Sequence, residues 1–146
     1  MKYKLMHPTE GRGWSREKVD RVEVLYKRFL FLAGSDSRPF MPTSEIDEMW
    51  HAHMLDTIKY REDCERIFGF FLDHFPYFGI RGEKDLFNMV RLFVECCQRY
   101  EAEYGEPYAE IPEDFWQIHG IREPIDYSAP EFLSLPERPR LEPIAV

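Results

Sequence analysis

The chain has 146 residues, 44% of them apolar and 16% aromatic, which is enough for one domain with a real core and argues against disorder throughout. Its formal charge of −8 argues against a general nucleic-acid binder or a protein docked on anionic lipid, because both would need a basic face. No apolar run approaches the roughly 18–20 residues that cross a bilayer, and the opening MKYKLMHPTEGRGW lacks a signal-peptide core, so a cytoplasmic, non-membrane setting is expected.

GWSREKVDRVEVLYKRFLFLAG reads as the first long helix, with Ser15 as N-cap and Gly34 as its stop. Val19, Val22, Leu25, Tyr26, Phe29 and Ala33 recur at helical spacing and should face the core. A Pro-bearing loop follows, then one long second helix running to Gly69. Ser44 and Asp47 resemble a capping box with Asp in the place of Glu. Ile46, Trp50, Met54, Thr57, Cys64 and Phe68 fall on one face of that helix.

FFLDHFPYFGIRGEKD is a compact aromatic turn region, broken by Pro76, Gly79 and Gly82. DLFNMVRLFVECCQRYEAEYG is the third long helix, with Leu86, Met89, Val90, Phe93, Val94, Cys97 and Tyr104 as its apolar face and Gly105 as its stop. IPEDFWQIHG reads as a short fourth helix, started by Pro112 and ended by Gly120. Beyond it the composition changes, and five of the eleven prolines fall in the last 26 residues. The predicted fold is therefore all-α: a small bundle of three long helices plus a short fourth over residues 1–121, and an extended or disordered Pro-rich arm over 122–146.

Three cysteines, Cys64, Cys96 and Cys97, form neither a disulfide scaffold nor a Cys-x-x-Cys zinc knuckle. The chemistry concentrates in WHAHMLDTIKYREDC. His51 and His53 are two residues apart and diverge by ~200° on a regular helix, so both cannot grip one ion there. His53 shares its stripe with Asp56, Tyr60, Asp63 and Cys64, whereas His51 lies on another stripe that could face the loop bearing His74.

Two chemical readings follow. In one, a metal ion takes His51 or His53, Asp56 and His74, an imidazole and carboxylate set that suits zinc or non-haem iron. In the other, no metal is bound: His53 with Asp56 or Asp63 forms an acid–base pair acting on a small-molecule or peptide substrate, and Tyr60 orients it. A structural reading stands beside both, in which a histidine near an aspartate is a satisfied pair and Trp50, Tyr60 and Phe68 fill the core.

Weaker signals are an anion seat near Arg81, for which a plain turn is the simpler account, and Cys64 as a nucleophile. On a continuous helix Cys64 would lie ~16 Å from His53, too far for that role. His7 and His119 read as surface residues.

The run DEMWHAHMLDTIKYREDCERIFGFFLDHFPYFG resembles the glycine-rich domain-containing protein-like family, through Asp47, Trp50-His51, His53, Leu55-Asp56-Thr57, Tyr60, Asp63-Cys64, Phe68-Gly69, His74 and Pro76. With YKRFLFLAG and PFMPTSEID the likeness covers roughly residues 14 to 105. Plants carry this family as the N-terminal part of larger proteins, bacteria as short stand-alone chains, and this chain is similar to the latter. No reaction is implied by the resemblance. What it implies is one recurring polar signature, His51, His53, Asp56, Thr57, Tyr60, Asp63, Cys64 and His74, which a functional pocket explains more easily than packing does. The alternative is an interaction module: the signature fixes helix register, and the Pro-rich arm binds a protein partner or a second copy of the chain.

Overall fold

A computed structural model describes residues 1–35 and 37–110. Among them are five helices and no strand: α1 (Lys2–Met6), α2 (Arg16–Ser35), α3 (Ser44–Met54), α4 (Thr57–Phe68) and α5 (Glu83–Tyr104). The all-α class is as the sequence predicts. The short fourth helix expected at Pro112–Gly120, the arm from Arg122 and the boundary between domain and arm lie outside the described residues.

α2 starts where the sequence places it. The Ser15 hydroxyl accepts from the Lys18 amide at 3.1 Å, one of the orphan donors of a helix start. The helix runs one residue past Gly34, so this glycine is not its stop. Its role is spatial: a Cβ at Gly34 would lie 2.5 Å from the Phe68 ring of α4. Val19, Val22, Tyr26 and Phe29 turn inward as the 3.6-residue period dictates and pack with Ile46, Met49 and Trp50 of α3. The Phe29 and Trp50 rings sit 5.0 Å apart.

α1 is a short element that the sequence reading missed. Buried Leu5 pins it to the core, while Lys2 reaches Asp20 at 2.8 Å and Glu23 at 2.5 Å on α2.

α5 buries Asn88, Leu92, Val94, Cys96, Cys97 and Tyr100. Its inward face is rotated from the one predicted, since Leu86 is exposed and Leu92, Cys96 and Tyr100 take the centre. Aromatic partners set that rotation. Tyr100 packs on Tyr108 at 4.7 Å, Tyr108 on Phe40 at 5.4 Å, and the Cys96 thiol accepts from the Met41 amide at 3.2 Å.

The predicted second helix is two helices. Thr43, not Ser44, caps α3, its side chain accepting from the Ile46 amide. Within one turn of α3's end the bonding tightens: the Asp56 amide donates to the His53 carbonyl at 3.1 Å, a three-residue closure. Asp56 then leaves helical geometry at φ −88°, ψ 76° and caps α4 with its own side chain, at 3.3 Å from the Lys59 amide. Gly69, at φ 72°, ends α4 in the left-handed conformation that glycine adopts without a Cβ penalty.

Candidate functional site

The break at Leu55–Asp56 divides the polar signature into two groups. The first is buried. Tyr26 Oη lies 2.9 Å from His53 Nδ1, and His53 Nε2 lies 3.0 Å from Asp63 Oδ2. Arg66 Nη2 donates to Asp63 Oδ1 at 2.6 Å, and Lys59 adds a second cation to the same carboxylate. Burial opposes the charge of Asp63, but the Lys59 hydrogen bond and the Lys59 and Arg66 charges prevail and hold its carboxyl below the usual range.

An ionised Asp63 can only accept, so His53 Nε2 carries the proton and Nδ1 accepts from Tyr26. Burial pushes the His53 pKa down and the Tyr26 pKa up, so this chain keeps a neutral imidazole between a protonated phenol and a carboxylate. Every buried side-chain nitrogen or oxygen among the described residues has a partner.

Tyr60 belongs to the same layer. Its hydroxyl accepts from Trp50 Nε1 at 2.9 Å and donates to the Leu72 carbonyl at 2.6 Å. Burial raises its pKa, so it keeps the proton it donates. Cys64 is a core residue, 2% exposed.

The second group lies at the surface. His51 Nε2 and His74 Nε2 face each other at 3.1 Å, and His74 Nε2 lies 3.0 Å from Asp47 Oδ1. His51 Nε2 is 3.6 Å from Asp47 Oδ2. α3 supplies Asp47 and His51 four residues apart, hence on one face. The aromatic loop after Gly69 supplies His74, whose ring meets that of Trp50 at 4.7 Å. One donor atom from each of the three residues falls within 4.8 Å of the others.

The structure thus brings His51 and His74 together, as the metal reading requires, and places His53 and Asp56 elsewhere. Both ring nitrogens of His53 are committed to Tyr26 and Asp63. Asp56 is exposed and caps α4. The sequence reading overlooked Asp47 as a ligand, taking it for a capping residue and a member of the family pattern. Its four-residue spacing to His51 was the available signal.

Asp47 and His74, though not His51, line a cavity of about 510 Å³ together with Trp50, Phe40, Met41, Phe78 and Leu92. Arg81 also lines it, but its guanidinium is bound to Asp85 at 2.5 Å. The Gly79 and Arg81 amides donate to the same carboxylate, so Asp85 occupies the donors that an anion would use. Among the described residues no helix is long and apolar enough to cross a membrane.

Comparison with known proteins adds the family. A model of the family described as UCP032817-like matches residues 5–135, and the chain belongs to that family. A curated relative, glycine-rich domain-containing protein 2 of Arabidopsis thaliana, is 29% identical over 93 residues, which is 64% of this chain and 10% of the relative. The chain thus spans about a tenth of that relative's length. No solved structure matches it.

Proposed function

We propose that this member of the UCP032817-like family binds one divalent metal ion, zinc or iron, through Asp47, His51 and His74, and uses it as a small metal-dependent enzyme. The observation that supports this reading is the competition at His74 Nε2. A ring nitrogen carries one proton or one lone pair. With a proton it serves the Asp47 carboxylate and leaves the exposed His51 ring to solvent; without one it turns a lone pair toward that carboxylate. A cation facing all three groups satisfies them together.

The spacing supports the same reading. Bonds of ~2.0–2.2 Å in tetrahedral array set ligand atoms ~3.3 Å apart; the two Nε2 atoms are 3.1 Å apart, His74 Nε2 is 3.0 Å from Asp47 Oδ1, and His51 Nε2 is 3.6 Å from the other oxygen, Oδ2. Two imidazoles and one carboxylate leave coordination positions open, as in catalytic zinc and non-haem iron sites. When bound, the ion would supply Lewis acidity for hydrolysis or, as iron, oxygen chemistry.

The chain's own residues would do the rest. Asp47 and His51, held by one helix face, fix two directions of the site. The aromatic and aliphatic lining of the cavity suits a largely apolar small molecule rather than an anion, because Asp85 already neutralises Arg81.

Titrating zinc or iron(II) into the untagged protein tests the assignment. About one ion per chain is expected, with binding weakened in Asp47→Ala, His51→Ala and His74→Ala. Equal binding by all four proteins would refute it.

A further inference from the structure

A ligand on an irregular loop needs something to hold it, and His74 sits between Gly69 and Gly82 with no helix of its own. We propose that Tyr60 is the positioning residue that seats His74 against His51, an inference that rests on the metal reading given above for its functional meaning but not for its geometry. The Tyr60 hydroxyl is the junction of three segments. It accepts from Trp50 Nε1 on α3, it is carried by α4, and it donates to the backbone carbonyl of Leu72, two residues before His74.

Around that junction the rings interlock. The Tyr60 ring meets Phe71 edge-on at 5.2 Å, and Trp50 meets His74 at 4.7 Å. Trp50 is also the immediate neighbour of His51. One hydroxyl therefore ties the loop to the helix that carries the other two candidate ligands. Tyr60 is 2% exposed, so water cannot readily take over its two hydrogen bonds.

Removing the hydroxyl leaves the Trp50 N–H and the Leu72 carbonyl unpaired while keeping the ring. Loss of a group that hydrogen-bonds a metal ligand directly commonly changes affinity 10- to 100-fold, and Tyr60, which acts on His74 through the loop, is expected near the lower end. The effect of Tyr60→Phe should therefore appear at His74, beside the stability lost through the unpaired Trp50 N–H.

The test uses the full chain, metal-free and with zinc. In the metal-free protein the His51 and His74 rings should show a mutual nuclear Overhauser contact, since their centroids lie 4.7 Å apart. Tyr60→Phe is expected to fold with wild-type helicity, lose most of that contact and bind zinc about tenfold more weakly. Val22→Ala, a core truncation in α2, controls for lost stability alone and should keep wild-type zinc affinity.

A ring contact unchanged in Tyr60→Phe overturns the proposal, and so does an unchanged zinc affinity where the wild type binds zinc. If the wild type binds no zinc yet Tyr60→Phe loses the ring contact, the metal reading fails and the positioning role stands. Should Tyr60→Phe not fold, Trp50→Phe takes its place. It removes the N–H that orients Tyr60 and keeps a ring beside His74. A weaker ring contact is expected, and an unchanged contact overturns the proposal.

Discussion

His53 Nε2 lies 3.0 Å from Asp63 Oδ2 although ten residues separate them. On a straight helix those residues would be ~15 Å apart along the axis. The same displacement brings Trp50 Nε1 to Tyr60 Oη at 2.9 Å. Both contacts exist because the chain turns at Leu55–Asp56, and both place buried polar groups where they satisfy one another. The polar signature thus falls into two groups, one inside and one at the surface.

Asp56 makes the turn possible by capping α4, so its loss is a stability effect. Asp56→Ala should cost about 1 kcal/mol in a denaturant titration, the usual worth of such a cap. Metal binding should be unchanged. A variant that loses the ion but keeps its stability would return Asp56 to the ligand set.

Truncating His53 leaves Tyr26 without its acceptor and removes one partner from Asp63. His53→Ala is expected to destabilise by about 1–3 kcal/mol, the cost of unsatisfied buried polar groups, and to retain the ion. Urea unfolding and zinc titration on the same sample separate the two effects. Unchanged stability with lost zinc binding would show that His53, not the surface group, carries the metal.

The folded-state pKa of Asp63 is depressed below its ordinary 3.8. Its contribution to stability is therefore complete above about pH 4 and is lost as the pH falls through the folded value. Asp63→Asn should be less stable at neutral pH and should lose less further stability on acidification below about pH 4 than the wild type does. Parallel acid limbs for the two proteins would mean that Lys59 and Arg66 do not hold the carboxylate.

Much of the fold was legible because the local signals agreed. Ser15 capped α2, Gly69 and Gly105 stopped α4 and α5 in left-handed geometry, and Val19, Val22, Tyr26 and Phe29 marked the buried stripe. The break between α3 and α4 was not legible, because neither proline nor glycine marks it. Leu55 is a good helix former, and Asp56 acts as a cap only when the chain has already turned. Gly34 misled for the opposite reason: it signals a helix end, but its missing Cβ makes room for Phe68.

The candidate site was half legible. The pairing of His51 with the loop His74 followed from asking which stripe faces the aromatic turn. Asp47 was hidden by its position in the first turn of α3, where an acidic residue has a sufficient reason in the helix dipole.

The most direct measurement is the metal content of the protein purified without a histidine tag, by mass spectrometry, before and after zinc or iron(II) is supplied and the excess removed. Wild type is compared with His51→Ala and His74→Ala. The account predicts close to one retained ion per wild-type chain and a large loss in both variants, with Asp56→Ala matching the wild type. No ion retained by the wild type after loading, or retention undiminished in both histidine variants, would contradict it.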